Sequence, residues 1–166
     1  MKGDPAIIRT LNAVLTNELT AVNQYFLHAR MFESWGLKHL GEIVYEESIG
    51  EMKHADKLIK RILFLDGLPN MQDLNKLNIG ETCIECLGAD LQLEIDGRAR
   101  QLAGIAECEA ASDFISRQIL TEILADTEEH IDFLETQFLL INQIGEQNYL
   151  QSAMTEIAVD KSATGN

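Results

Sequence analysis

Apolar residues recur every three or four positions along four long stretches of this chain, and no stretch alternates apolar with polar residues as a strand would. The pattern predicts helices, and local signals divide them. Asp4 is a good N-cap and Pro5 suits the first helical position, so a first helix opens there and runs to Ser34, ending near Gly36. A second covers Lys38 to Asp66, stopped by Gly67 and Pro69. A third covers Glu81 to Ala111, and a fourth covers Asp113 to Ile144 with Gly145 as its C-cap. A short fifth helix follows over Glu146 to Met154. Residues 67–81 form a connection long enough to run the length of a bundle and join parallel neighbours. The expected architecture is all-α: a four-helix bundle with one long crossover loop and a short fifth C-terminal helix. It is one domain over residues 1–154, and the small, polar residues 155–166 read as a frayed tail.

The inward stripes are not purely apolar. They read Leu11, Val14, Glu18, Val22, Tyr25 and Ala29 on the first helix, and Val44, Glu47, Glu51, His54, Leu58 and Ile62 on the second. The third gives Leu87, Leu91, Glu94, Leu102 and Ile105; the fourth gives Ile123, Thr127, His130, Leu134 and Ile141. Glu18, Glu51, His54, Glu94 and His130 thus stand near the middle of each helix where leucines belong. A buried carboxylate without a partner is costly, so such groups pair or bind a metal. Glu51-Met52-Lys53-His54 places a carboxylate and an imidazole on one face, one turn apart. Two oxygen donors bridging a pair of metals, with one imidazole each, suit iron or manganese. This is the known ligand pattern of ferritin-like di-iron bundles, which use one Glu from each of two helices and Glu-x-x-His from each of the others. A buried network of satisfied polar side chains would use the same residues. The fourth helix departs from the pattern, with Thr127 where a second Glu is called for.

Charge and cysteine content narrow the field. The chain of 166 residues carries a formal net charge of −14, with 27 acidic against 13 basic residues. Such a field repels nucleic acid and anionic membranes and attracts cations. No apolar run approaches the roughly 20 residues that span a bilayer, and Met1 to Pro5 lack the apolar core of a secretory signal. Three cysteines, Cys83, Cys86 and Cys108, argue against a disulfide framework and for a reducing cytoplasm. Cys83-x-x-Cys86 sits where the dipole of the third helix would lower a thiol pKa, but with no second pair and no nearby His it does not read as a zinc or iron–sulfur site. His28 and His39 fit no constellation and read as surface residues.

At this level of detail the chain resembles bacterioferritin, the haem-containing branch of the ferritins. The resemblance runs without gaps over about residues 1–154, through MKGD, NQYFLHARMFESWGLK, EMKHAD, RILFLDGLPN, KLNIGE, HIDFLET and NYLQS. It implies a hollow cage of twenty-four subunits holding a ferric mineral. Carried over, Glu18, Glu51, His54, Glu94 and His130 match five of six ferroxidase ligands; the sixth would be a bridging Glu at 127. Glu128 and Glu129 lie about 100° and 200° around the helix and point elsewhere. Thr127 cannot bridge two cations, so ferroxidase activity is expected to be weak. His and Asp common in the family at positions 46 and 50 are Glu46 and Gly50 here, a further loss on the cavity side. Tyr25, a redox neighbour of the site in the family, is kept. Asn148 and Gln151 match polar residues lining four-fold pores.

Met52 points out of the bundle, among Tyr45, Ile49, Leu19, Val22 and Phe26, which form outer apolar strips on two adjacent helices. A two-fold axis there would bring two copies of Met52 together, and thioether sulfur suits haem iron. In the family a methionine at this place supplies both axial ligands of a haem b shared by two subunits; interface packing is the plainer use of the same residue. The expected function is an iron-storage cage subunit that binds haem and is deficient in ferroxidase activity. Its partners would be other cage subunits, including one with a complete centre, together with ferrous and ferric iron and a ferredoxin for release. Alternatives are a fully competent ferroxidase, with Thr127, water or a shifted Glu128 completing the site, and a small di-iron oxidoreductase or haem electron carrier.

Overall fold

A computed structural model of the chain describes residues 1–154. The tail expected over 155–166 lies outside the described residues. Five helices form: α1 (Pro5–Ser34), α2 (Lys38–Phe64), α3 (Cys83–Ala110), α4 (Phe114–Ile144) and α5 (Glu146–Ser152). The long four pack as two antiparallel hairpins, α1 with α2 and α3 with α4, joined chiefly through α1 against α3. Residues 65–82 cross between the hairpins. No described helix is long and apolar enough to cross a membrane.

The ends follow the local chemistry. Asp4 accepts the Ala6 N–H at 2.7 Å with Pro5 behind it. Thr82 caps α3 through the Glu85 N–H, and Asp113 caps α4 through the Ser116 N–H. Helix α2 stops two residues earlier than expected because Asp66 turns left-handed (φ 57°) and the Gly67 N–H closes back on Ile62. Gly145, at φ 81°, ends α4 and redirects the chain into α5.

The crossover is fastened to α1 by side chains spaced along one of its faces. Asn12 Oδ1 accepts the Asn70 N–H (2.7 Å), Thr20 Oγ1 that of Asn75 (2.9 Å), and Gln24 Oε1 that of Asn78 (3.0 Å). His28 Nε2 accepts the Gly80 N–H (3.2 Å), which leaves Nδ1 to donate to Asp90 at 2.8 Å. His28 is therefore fully buried, not a surface residue, because the connection needs an acceptor at that level and Asp90 needs a donor. His39 is exposed, as expected.

The core divides into two apolar clusters. One gathers Tyr25, Phe32, Leu37, Leu87, Leu134 and Tyr149; the other gathers Ile7, Leu11, Leu58, Ile62, Leu120 and Ile123. Two expected positions differ. Leu19, assigned to the outer strip, is buried in the second cluster, and Leu102, assigned to the inward stripe, is 41% exposed. On α3 the face that continues from Glu94 reaches residue 101, seven positions on and nearly in phase; position 102 lies about 80° away.

Candidate metal centre

Between the two apolar clusters lies a polar layer in which Glu18, Glu51, His54, Glu94, Thr127 and His130 are all buried. All four long helices contribute. Two sets of ligand atoms converge, Glu18 with Glu51 and His54, and Glu51 with Glu94 and His130; within each set the atoms lie within 4.8 Å of one another. Glu51 belongs to both, so the two sets form adjacent halves around one carboxylate. His54 Nδ1 is 3.2 Å from Glu18 Oε2 and 3.1 Å from Glu51 Oε2. His130 Nδ1 is 2.8 Å from Glu94 Oε1, which also accepts the Tyr25 hydroxyl. Tyr25 meets the His130 ring edge-on, with centroids 5.3 Å apart.

Protons balance this cluster of charge. Burial raises the Glu51 carboxyl well above its ordinary value, and the neighbouring Glu18 raises it further against the hydrogen bond from His54. Burial alone would lower the His54 pKa, but hydrogen bonds to Glu18 and Glu51 and their charge push it up to about 11. His130 is likewise raised, its burial outweighed by Glu94. Tyr25 is held well above its usual range by burial and by Glu94. Burial and the neighbouring carboxylates thus favour the protonated forms of Glu51, His54 and His130 in this layer. Glu18 from α1, Glu94 from α3, the shared Glu51 and one imidazole in each half form an oxygen- and nitrogen-rich donor set suited to ferrous iron.

Thr127 lies at this level with its hydroxyl toward Gln101, whose Nε2 donates to it at 3.0 Å. Neither neighbouring acid turns into this layer. Glu128 is on the surface with Arg98 at 2.8 Å, and Glu129 is exposed. Asp126, missed in the sequence, approaches the centre from outside: its Oδ2 is 2.9 Å from His54 Nε2. That bond leaves Nδ1 facing the carboxylates, the orienting role an outer carboxylate plays for a metal-binding histidine. Asp126 lines a cleft of about 340 Å³ with Glu47, Glu129 and Gly50, which opens onto Glu51, His54 and His130. Glu47 is half-buried at its mouth, 3.9 Å from His130 Nδ1, rather than a member of the inner layer.

The other expected residues are placed as follows. Met52 on α2 is 50% exposed and Phe26 on α1 48%, while Val22, Tyr45 and Ile49 are half-buried. Arg30 stacks over both Phe26 and Tyr45, 5.4 and 4.7 Å from the ring centroids. Cys83 and Cys86 depart from expectation: both are buried, and burial pushes each thiol up to about 12 instead of the helix dipole lowering it. Asn148 and Gln151 are exposed on α5.

The geometry can be set beside known proteins. The ferritin family model, described as a ferritin-like domain, matches residues 8–144. A bacterioferritin of Brucella melitensis is 50% identical over 151 residues, covering 91% of this chain and 94% of that protein. A bacterioferritin of Mycobacterium leprae is 49% identical over 149 residues, covering 90% and 94% respectively. One from Streptomyces coelicolor is 43% identical over 166 residues, covering 100% of this chain and 99% of its own.

Proposed function

The chain belongs to the bacterioferritins of the ferritin-like family, and from that premise we propose that it is a haem-binding subunit of a cytoplasmic iron-storage cage whose own ferroxidase centre is weakened. One observation carries the reading: two buried ligand sets share Glu51, and the residue that completes the same layer is the uncharged Thr127. Iron is the substrate and cargo. Ferrous ions attracted by the net charge of −14 enter by the acidic cleft of Glu47, Asp126 and Glu129. They displace the protons held by His54, His130 and Glu51, and bind between those groups and Glu18 and Glu94. Two neighbouring cations repel strongly at such short range, and bridging anions offset that repulsion. With Glu51 as the sole bridging carboxylate, the pair is held poorly and its joint oxidation is slow.

Haem b would sit against the outer face of α2. Met52 is an exposed soft ligand, flanked by the half-buried apolar side chains of Val22, Tyr45 and Ile49, which a porphyrin shared with a second copy would cover. The group supplies electron transfer when bound, and reduction of the mineral is the step it would serve, with a ferredoxin as the electron source. Twenty-four copies would form a cage, alone or mixed with a subunit that has a complete centre, and a mixed cage would divide oxidation and release between its two chain types.

Stopped-flow oxidation of ferrous iron by dioxygen or peroxide, on cages of this chain alone, tests the impaired centre. The expected result is slow oxidation at two irons per subunit. A fast phase that consumes two irons per subunit would support the fully competent alternative. Gel filtration separates the storage reading from a small oxidoreductase or electron carrier, which would elute as a dimer and load no mineral.

A further inference from the structure

Gln101 was not expected at the centre, yet it is 1% exposed and lies seven residues past Glu94 on the same face of α3. Its Nε2 donates to Thr127 Oγ1 at 3.0 Å and lies 3.4 Å from Glu18 Oε1, the oxygen not engaged with His54. Its Oε1 is buried without a hydrogen-bond partner; among the described residues only Asn17 Oδ1 shares that condition. Both side chains stand against Gly97, where a Cβ would be 2.5 Å from Asn17 Nδ2 and 3.8 Å from Gln101 Nε2. A buried carbonyl left without a donor is costly, and such an atom beside a metal centre needs a reason.

The reason lies in the two-ended amide. A half-turn about its last bond exchanges oxygen for nitrogen in nearly the same volume. Without a cation, the N–H end belongs against the Glu18 carboxylate. A divalent cation held by Glu18, Glu51 and His54 reverses that preference, because it repels the N–H dipole and attracts the oxygen. We infer that Gln101 is a neutral oxygen ligand in this centre, turning its amide on cation binding so that Oε1 faces the metal beside Glu18 and Thr127. This rests on the metal-centre reading above. Gln101 and Thr127 then supply donor oxygen where the second bridging carboxylate is absent, without its charge. One divalent cation is well served by that exchange, whereas a pair is not.

The test titrates cobalt(II) into metal-free cages of the full chain and of Gln101→Leu, Gln101→Glu and Glu51→Ala, by calorimetry and by the cobalt d–d absorption bands. Melting in EDTA reports folding. Gln101→Leu keeps the volume and removes the orphaned oxygen. It is expected to weaken the tightest cobalt site by about ten-fold or more and to change the d–d spectrum. Gln101→Glu is expected to tighten it. Unchanged affinity and spectrum in Gln101→Leu, with binding still dependent on Glu51, would overturn the role of Gln101 alone. Cobalt binding that ignores Glu51 as well would overturn the whole centre. A crystal of the unmodified protein with cobalt reads the amide independently of any variant, since Oε1 either is or is not within direct ligand distance of the metal.

Discussion

Thr127→Glu is the substitution that most directly converts geometry into energy. Position 127 is 2% exposed, in a layer that already buries Glu18, Glu51 and Glu94. A further carboxylate there cannot stay ionised cheaply without metal, so it takes up a proton instead. At pH 7 that costs at most about 1.4 kcal/mol for each unit between 7 and the ordinary glutamate value near 4.3, or about 3.7 kcal/mol. The Gln101 N–H, which donates to the Thr127 hydroxyl at 3.0 Å, is placed to donate to the new carboxyl instead, so that hydrogen bond is exchanged and offsets none of the cost. The net loss in EDTA is therefore about 2–4 kcal/mol, a fall of roughly 5–15 °C in melting temperature for a chain this size. With ferrous iron or cobalt(II) the loss is largely offset, because saturating a site at about 100 times its Kd stabilises the fold by about 2.7 kcal/mol. Melting with and without EDTA, beside stopped-flow ferrous oxidation, gives both halves. A variant that melts with the parent in EDTA and oxidises iron no faster would refute the placement of residue 127 at the centre.

Further outcomes are expected. His54 is protonated at pH 7, its pKa being raised to about 11 by Glu18 and Glu51, so cation binding must release a proton and affinity must rise with pH; cobalt binding enthalpies that do not change with the ionisation enthalpy of the buffer would contradict this. Asp113→Ala removes the α4 cap and the Arg61 partner at 2.6 Å, costing about 1–3 kcal/mol at pH 7 in urea unfolding. Burial alone would raise the Asp113 carboxyl, but Ser116 and Arg61 outweigh it and hold it below its usual value. A depressed pKa stabilises above the unfolded value and is lost as pH falls through the folded one, so this gap should close below about pH 4. His28→Ala leaves buried Asp90 with the Gln24 amide as its remaining side-chain donor and frees the Gly80 N–H, for a loss of about 2–4 kcal/mol and faster hydrogen exchange at Gly80; a loss under about 1 kcal/mol would count against the fastening of the crossover. Met52→Leu should abolish the haem absorption band while changing the stability of the haem-free chain by no more than about 0.5 kcal/mol.

The bundle was legible because helical periodicity, Asp4-Pro5, Gly67-x-Pro69 and Gly145 mark elements by local chemistry alone. That Glu18, Glu51, His54, Glu94 and His130 share one buried layer was legible for the opposite reason: a polar side chain inside an apolar stripe violates the pattern and has to be explained. Helix α3 was read least well. Its buried face carries Leu87 and Leu93 but beyond Glu94 continues only through Gly97, Gln101, Gly104 and Cys108, small and polar residues that lay no apolar stripe, so Leu102 drew the eye to the wrong face. The recurrence of small residues three or four apart was the available signal. His28 was missed because its partners, Gly80 and Asp90, are distant in sequence, although Thr20, Gln24 and His28 already stood on one line. The cysteines were misjudged because burial outweighed the helix dipole. Asp126 carries no periodic mark, being 58% exposed at its side chain, and shows itself only by its bond to His54.

The most direct measurement is anomalous diffraction at the iron edge from crystals soaked anaerobically in ferrous iron. The expected map has iron density inside the bundle beside Glu51, a strong peak near His54 or His130 and a weaker one in the other half. Two peaks of full occupancy with Glu128 or Asp126 drawn in as a bridge, or iron bound only outside the layer, would contradict a centre weakened at Thr127.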